Sequence, residues 1–255
     1  MYETIRVETE GPIATLVLSR PERRNALNNT MRREIVEALQ AVEKDDSLRA
    51  LIITGDGDAF CAGADIEELQ SRTVLEATWP LIVVQDHIER LSKPVVAAIN
   101  GFALGGGCEI ALACTLRACS SNARIGLPEV RLGVLPGGGG TQRLPRVVGL
   151  GWALHMALTA EFMDADTAFR IGLVTKLTEP DALMAACRDM AGRLAAMPPL
   201  AVRAITQAMR ASHDVASARG LEMERQLMGA LLSSDDHLEG IQAFLEKREG
   251  KFEGR

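Results

Sequence analysis

Residues 100–144 contain two glycine-rich turns, Gly101-Phe-Ala-Leu-Gly-Gly-Gly-Cys-Glu109 and Pro136-Gly-Gly-Gly-Gly-Thr-Gln-Arg-Leu144, with Leu127-Pro-Glu129 between them. The first turn follows Pro94-Val-Val-Ala-Ala-Ile99, an apolar, β-branched run that predicts a buried strand. Beyond Gly107, a run of strong helix formers without a breaker predicts a helix. The order strand, glycine turn, helix therefore organises the centre of the chain.

Glycines 105–107 fall at the N-terminus of that predicted helix. Amide N–H groups there lack intrahelical partners and the helix dipole is positive, so this end of the helix favours an anion. Glu109 lies in the same first turn. An isolated glutamate at such a place is usually only a partner of the dipole, but here one backbone element presents both a carboxylate and candidate oxyanion amides.

Length and composition narrow the class of protein. A chain of 255 residues is long enough for one large core, or for a core with an appendage. The cysteines are odd in number and form no Cys-x-x-Cys pair, which predicts reduced thiols in a cytoplasmic protein. They are Cys61, Cys108, Cys114, Cys119 and Cys187.

The composition also argues against several kinds of partner. The four histidines are scattered without metal-ligand spacing, so we expect no metal site. A net charge of -6 without a long basic cluster disfavours nucleic acid. No apolar run reaches the roughly 18 residues of a membrane span, so we expect no contact with a membrane.

The first part of the chain predicts a hairpin, a helix and a strand. Residues 4–9 and 13–19 are β-rich runs separated by a turn signal. Apolar residues then recur at helical spacing from Thr30, a candidate N-cap, to about residue 43. Residues 49–54 predict the next strand.

Phe60-Cys-Ala-Gly-Ala-Asp65 is a second place where small residues let the backbone approach a ligand closely. Helices are predicted at about 66–70 and 75–91, and short strands at 116–119 and 124–126. The recurring order strand, strand, helix predicts a stacked or coiled α/β core.

The last part of the chain predicts only helices. Two are expected at 142–148 and 152–159, and four more at 182–196, 200–211, 216–232 and 235–248. Because Pro198-Pro199 interrupts this series, we place a boundary near residue 197, between a core (1–197) and a helical region (198–255). Apolar rows such as Met223, Leu227 and Leu231 need a buried partner, which favours an oligomer.

Five segments, in this order, resemble the enoyl-CoA hydratase/isomerase (crotonase) family: Phe60–Asp65, Asn100–Glu109, Leu127–Glu129, Pro136–Leu144 and Phe244–Arg248. The match spans nearly the whole chain. The resemblance implies a spiral of ββα repeats with a C-terminal helical trimerisation region, assembled as a homotrimer or as a dimer of trimers, a homohexamer. It also implies an acyl-CoA substrate, a place in fatty-acid metabolism such as β-oxidation, and no separate cofactor.

The resemblance places the chemistry on four residues. The two backbone amides that hold the thioester oxygen fall on Ala64 and Gly106, and the two carboxyl groups fall on Glu109 and Glu129. Attack at C3 or proton removal at C2 sends negative charge to the thioester oxygen, so fixed N–H donors stabilise the transition state. Two carboxyl groups are enough to hold a water, take its proton and protonate C2. The sequence leaves open which carboxyl group carries the proton.

Coenzyme A itself is expected to contact Arg24, Ala26, Ala62, Ala64 and Ile66. Cys108 is interpreted as a small buried residue rather than a nucleophile, because no motif fixes a histidine beside it.

The predicted activity is a hydro-lyase reaction, the hydration of a 2-trans-enoyl-CoA to a 3-hydroxyacyl-CoA. Two alternatives stay open: an enoyl-CoA isomerase of the same family, which needs only one base, and a non-catalytic, RNA-binding relative. Thr115 stands where many relatives have aspartate, and Leu127 where hydratases often have glutamine. These departures, with residues 67–84 as the expected wall of the acyl pocket, leave the acyl chain undetermined.

Overall fold

The computed structural model describes residues 2–70 and 83–255, without the side chain of Leu69. Of the helix predicted at 75–91, the part up to residue 82 lies outside the described residues. The part from Val84 to Arg90 is a helix in the structure. Most of the expected acyl-pocket segment, 67–84, also lies outside the described residues.

The described strands are β1 Ile5–Glu10, β2 Ile13–Leu18, β3 Ala50–Gly55, β4 Ala59–Cys61, β5 Val95–Ile99, β6 Phe102–Leu104, β7 Leu116–Ser120, β8 Arg124–Gly126, β9 Met163–Asp164 and β10 Lys176–Thr178. The described α-helices are α1 Asn29–Lys44, α2 Ile66–Gln70, α3 Val84–Arg90, α4 Gly106–Ala113, α5 Gly140–Thr159, α6 Ala165–Arg170, α7 Leu183–Ala195, α8 Pro199–Ala211, α9 Ser217–Leu232 and α10 Asp235–Glu246. Short 3-10 helices lie at Pro21–Arg23, Glu129–Leu132 and Pro180–Ala182.

These strands form two sheets. The larger has the order β1-β2-β3-β5-β7-β10, and the smaller has the order β4-β6-β8-β9. Pairing is parallel from β2 to β10 across the larger sheet and from β4 to β8 across the smaller one. The first unit places both β1 and β2 in the larger sheet. The units that begin with β3, β5 and β7 each send their first strand to the larger sheet and their second to the smaller. The predicted spiral of ββα repeats is therefore confirmed.

Strand β3 packs on both of its faces, as expected for a strand in a parallel sheet. Leu51 and Ile53 point into the main core, which also holds the apolar face of α1. Ala50 and Ile52 point the other way, against Leu183 and other residues of α7. The region before residue 197 thus includes α7 as a layer of the core, and the division at residue 197 stays a prediction.

Most predicted elements agree with the structure to within a few residues, but the start of α1 does not. The predicted N-cap Thr30 is wrong, because Asn28 caps the helix by accepting a hydrogen bond from the Met31 amide at 2.8 Å. Both residue types favour this position, so the sequence signal was ambiguous. The local contacts of the folded chain selected the asparagine.

The predicted pair of helices at 142–148 and 152–159 forms a single run, α5, that is broken at Gly149 by a non-helical φ of 77°. Sequence analysis missed five short strands and helices: β4, β6, β9, α6 and β10. Each is only two to six residues long, too short for a periodic pattern to indicate it. Within the described residues, no helix is both long and apolar enough to cross a bilayer.

Gly101 joins the two sheets between β5 and β6. A Cβ atom at this position would overlap the main-chain carbonyl of Asp58 in the neighbouring repeat. The two repeats therefore touch through backbone at this point, and only glycine leaves room for the contact.

We expect Gly101→Ala to destabilise the protein by about 1–3 kcal/mol, because the added methyl group overpacks a backbone contact that cannot yield. Chemical denaturation measures the change. The matched control is Gly192→Ala in α7, where nothing lies within 4 Å of an added Cβ and where alanine should stabilise the helix by about 0.5–1 kcal/mol. Equal stability of the two variants would contradict the packing argument.

Candidate active site

A cavity of about 360 Å³ brings together all four residues that the sequence analysis assigned to the chemistry. Ala64 reaches it from the loop after β4, Gly106 and Glu109 from the first turn of α4, and Glu129 from the 3-10 helix after β8. The wall also contains Gln85 of α3. Consecutive repeats of the spiral thus each contribute residues to the wall of one cavity.

The amide of Ala64 is directed away from its neighbouring strand. Leu27 forms a parallel bridge with Ala64, in which the Leu27 amide donates to the Gly63 carbonyl at 2.8 Å and the Asp65 amide donates to the Leu27 carbonyl at 3.0 Å. In a parallel bridge the central residue keeps its own N–H on the opposite side. The bridge therefore leaves the N–H of Ala64 unused, and Ala64 lines the cavity.

The amide of Gly106 borders the same narrow space. It belongs to the first residue of α4, so it has no intrahelical acceptor. A Cβ atom on Gly106 would lie 3.7 Å from the Ala64 amide nitrogen, and one on Gly63 would lie 3.6 Å from the Gly106 amide nitrogen. The amide nitrogens of Ala64 and Gly106 thus lie close to each other beside the cavity, where Gly63 and Gly106 have no side chains.

Glu109 is almost fully buried, with 3% of its surface exposed. Its Oε1 accepts hydrogen bonds from two backbone amides of the four-glycine turn, those of Gly138 and Gly140, each at 2.8 Å. Burial raises the pKa of this carboxyl group, and the two amides, with the charges of Arg143 and Arg32, oppose that rise. The paired N–H donors favour the ionised form.

Glu129 faces a different environment. Its Oε2 is buried and has no hydrogen-bond partner among the described residues. Burial raises its pKa to about 7, helped by the negative charge of Glu109 and opposed by its own backbone amide. The two carboxyl groups thus differ in their surroundings. The pKa of Glu109 is raised by burial against the opposing effect of two amides, whereas the pKa of Glu129 is raised to about 7 and its Oε2 has no such donor.

A model of the enoyl-CoA hydratase/isomerase family matches residues 8–255. The chain belongs to the enoyl-CoA hydratase/isomerase family. The resemblance noted in the five sequence segments is confirmed. The residues that carry the two amides and the two carboxyl groups all lie within the matched range.

Relatives in this family are similar along their whole length. The chain is 45% identical to the crotonyl-CoA hydratase of Syntrophomonas wolfei, covering 98% of each protein. It is 42% identical to the short-chain-enoyl-CoA hydratase of Clostridium acetobutylicum, covering 97% of this chain and 96% of the relative. A crystal structure of an enoyl-CoA hydratase subunit from Geobacillus kaustophilus has a TM-score of 0.95 at 40% identity, covering 100% and 99% of the two chains.

The five residues expected at coenzyme A divide into two groups. Ala62, Ala64 and Ile66 line the cavity. Arg24 and Ala26 lie outside its wall, in the adjoining loop, where the Arg24 carbonyl accepts a hydrogen bond from the Ala62 amide at 2.9 Å. The guanidinium group of Arg24 lies over the ring of Phe102, 5.3 Å from its centroid. Contact of all five residues with coenzyme A stays a prediction.

Three other residues singled out in the sequence have packing roles. Cys108 is completely buried, and burial raises the pKa of its thiol, so the thiol stays protonated. The hydroxyl of Thr115 accepts a hydrogen bond from the Val95 amide at 3.0 Å, between two strands. Leu127 packs beside the four-glycine turn, 3.1 Å from the place of a Cβ on Gly140.

Gln85 was missed by sequence analysis. Its side chain is only 5% exposed, and its Nε2 donates to the Gly106 carbonyl at 3.3 Å. The signal was present in the sequence, since Gln85 lies on the face of α3 that Val84 and Ile88 bury. A polar residue on an apolar helix face is more informative than the apolar residues around it.

Glu129→Gln should raise the melting temperature, and by more at pH 8 than at pH 5.5. The folded-state pKa of Glu129 is raised from 4.5 to about 7. Its stabilising contribution is therefore complete below pH 4.5 and is lost as the pH rises through about 7. Glutamine stays neutral throughout, so the difference between variant and wild type should grow across this window.

Thermal unfolding at a fixed protein concentration checks this pH dependence. Gly137→Ala is the control, because the nearest atom to an added Cβ there lies 4.0 Å away, and its melting temperature should follow that of the wild type at every pH. Because the two carboxyl groups titrate jointly, the midpoint belongs to the pair. A gain in melting temperature that is independent of pH would refute the raised pKa.

Proposed function

We propose that this protein is an enoyl-CoA hydratase, which adds water across the double bond of a 2-trans-enoyl-CoA to give a 3-hydroxyacyl-CoA. The observation that carries the proposal is the pair of unlike carboxyl groups on one cavity, Glu109 clamped by two amides and Glu129 with an unpartnered, buried oxygen. Hydration needs such a difference, because one group takes a proton from water while another delivers a proton to carbon.

In this proposal the amides of Ala64 and Gly106 hold the thioester oxygen. Water attacks C3, and the electrons of the double bond move through C2 to that oxygen, where two fixed N–H donors stabilise the negative charge. Removing one such donor costs about 3–4 kcal/mol in other enzymes. Backbone donors need no reorganisation, because α4 and the Leu27 bridge hold them before the substrate binds.

We assign the proton transfers from the environments of the two carboxyl groups. Glu109 is the base that takes a proton from the attacking water, because amide donors stabilise its charged form. Glu129 is the acid that protonates C2, because it retains its proton up to about pH 7. After one turnover the proton taken by Glu109 must return to Glu129, and both carboxyl groups line the same cavity.

The substrate follows from the cavity and from the names of the relatives. Small residues at Ala62 and Ala64 leave room for a thioester along the backbone. The two relatives described above are named for crotonyl-CoA and for short-chain enoyl-CoA, so we propose a short-chain 2-trans-enoyl-CoA as substrate. Within the described residues no group of three or more His, Cys, Asp or Glu side chains is arranged to hold a metal, and a reaction without a separate cofactor stays our expectation.

An isomerase of the same family is the nearest alternative, because it uses the same oxyanion amides. A 1,3-proton shift needs only one carboxylate, which removes and returns the same proton. The presence of a second carboxyl group in the wall of the cavity favours hydration. We therefore expect crotonyl-CoA to be hydrated much faster than a 3-enoyl-CoA is isomerised.

Absorbance of the conjugated enoyl thioester tests both reactions, since hydration of crotonyl-CoA removes it and isomerisation of a 3-enoyl-CoA creates it. Glu109→Gln and Glu129→Gln should each lower the hydration rate at least ~100-fold with little change in binding. The exposed Glu37→Gln of α1 is the control and should keep the wild-type rate. Faster isomerisation than hydration would replace the hydratase by the isomerase.

We also propose that the protein assembles as a homotrimer or as a dimer of trimers through its C-terminal helices. Large apolar side chains stand exposed on α9 and α10: Met228, Leu232, Leu238, Phe244 and Leu245. Phe244 is the most exposed of these five residues, at 83%. Contiguous apolar surface of this kind usually marks a protein interface.

Light scattering of the full-length chain should give the mass of three or six copies. Phe244→Glu should shift the mass towards the monomer, because a charge at the interface must be desolvated without a partner. Glu249→Gln, at an exposed position after α10, serves as the control. A monomeric wild-type protein would rule out the assembly.

Finally, we propose a cytoplasmic location and a role in fatty-acid breakdown such as β-oxidation. The location is supported by five cysteines that are all free and buried in the structure, since disulfides are rare where thiols are kept reduced. The pathway is supported by the proposed substrate alone.

A further inference from the structure

Arg143 lies between α3 and the four-glycine turn. Its side chain is only 12% exposed. Nη2 pairs with Asp86 at 2.9 Å and with Glu89 at 2.6 Å, both on α3, and Nε donates to Glu89 at 3.2 Å. Nη1 points the other way and donates to the Gly138 carbonyl at 2.8 Å. The guanidinium group thus fastens the turn to the helix.

Gly138 binds both Arg143 and Glu109. Gly138 accepts from Arg143 through its carbonyl and donates to Glu109 Oε1 through its amide, both at 2.8 Å. Glycine has no side chain that limits its backbone dihedrals. The direction of the Gly138 amide therefore depends on the hydrogen bonds at its two ends.

The glycines of the turn fit around these two side chains. A Cβ on Gly138 would lie 2.5 Å from Glu109 Oε2 and 2.7 Å from Gln85 Nε2. Gly139 has a φ of 97°, and a Cβ on it would overlap the guanidinium group of Arg143. The turn is therefore shaped by the carboxylate on one side and by the guanidinium group on the other.

The same helix also reaches the proposed oxyanion site. Gln85 of α3 donates to the carbonyl of Gly106, whose amide is one of the two proposed donors. Helix α3 thus contacts both parts of the site. Gln85 binds the oxyanion turn directly, and Asp86 and Glu89 bind the four-glycine turn through Arg143.

We propose that Arg143 is a positioning residue for Glu109: it holds the glycine turn against α3 so that the Gly138 amide stays directed at the carboxylate. The proposal rests on the function proposed above, in which Glu109 is the base. Arg143 does not contact the reacting atoms, and it acts on Glu109 through the backbone of Gly138.

Arg143 also acts on Glu109 through its charge. The charged or titratable groups that face Glu109 are Arg143, Arg32, Glu129 and the thiol of Cys108. Arg143 lowers the pKa of Glu109, against the larger effect of burial. Loss of Arg143 should therefore raise the pKa of Glu109, and the fraction of ionised base should fall at acidic and neutral pH.

The first test measures crotonyl-CoA hydration by Arg143→Met and Arg143→Lys across the pH range. Arg143→Met should lower kcat by up to about 100-fold with little change in KM, as expected when a catalytic group is misplaced by about 1 Å. The acidic limb of its profile of kcat against pH should move to higher pH.

Arg143→Lys keeps the positive charge, but an ammonium group cannot make all the hydrogen bonds of the guanidinium group. It should therefore lower kcat while the acidic limb of the profile stays near that of the wild type.

Arg146→Gln is the matched control, since Arg146 lies on the same helix and pairs with Asp214 at the surface, at 40% and 57% exposure of the two side chains. Its kcat and pH profile should match those of the wild type. The double variant Asp86→Asn with Glu89→Gln keeps Arg143 but removes its anchors, and should show a kcat loss of the same kind if Arg143→Met does not fold.

A double-mutant cycle with Glu109→Gln keeps the proposal testable without catalysis. In a wild-type background Arg143→Met should change how the melting temperature depends on pH. In a Glu109→Gln background this change should be smaller, because only the part that comes from the pairs of Arg143 with Asp86 and Glu89 is left. A wild-type protein that hydrates no enoyl-CoA would refute the proposed function but leave this coupling measurable. The inference about Arg143 fails if the pH-dependent changes of Arg143→Met are equal in both backgrounds, or if its kcat matches that of Arg146→Gln.

Discussion

The structure of the site depends on the clamp that two backbone amides, those of Gly138 and Gly140, place on Glu109. A buried carboxylate without partners is costly, and the helix α4 that carries it offers no polar neighbour of its own. The amides must therefore come from another part of the chain, which is why the four-glycine turn lies over the start of α4. This arrangement gives Oε1 of a carboxyl group that is only 3% exposed two backbone donors, in the wall of the cavity.

The clamp has a consequence for the other carboxyl group. Burial makes ionisation of Glu129 harder, and the negative charge of Glu109 adds to this effect. Two residues of the same type thus have different surroundings in one cavity. The same burial reduces stability at neutral pH, a cost that many active sites carry. In the proposed mechanism, burial of Glu129 thus keeps the proton that the reaction needs and at the same time lowers stability.

Glycines allow the backbone to approach where side chains would interfere. Gly106 and Gly63 leave the two proposed oxyanion amides unobstructed, and Gly101 lets one repeat of the spiral touch the next through backbone. Side chains beside these turns then fix their direction: Gln85 bonds to the Gly106 carbonyl and Arg143 to the Gly138 carbonyl. Conformational freedom in the turns is thus compensated by polar contacts from α3 and α5.

The sequence by itself determined the repeating order of strands and helices, the family, and the four residues that meet at the cavity. These follow from local signals, since periodicity, glycine spacing and motif order are all properties of neighbouring residues. Only the tertiary structure decided what surrounds each carboxyl group, and so which of them favours the charged form. It also revealed Gln85 and Arg143, because their partners lie 21 and 5 or more residues away in sequence and on other elements. The contacts of Gln85 with Gly106 and of Arg143 with Asp86, 21 and 57 residues apart, depend on how the repeats stack, and no short stretch of sequence records that.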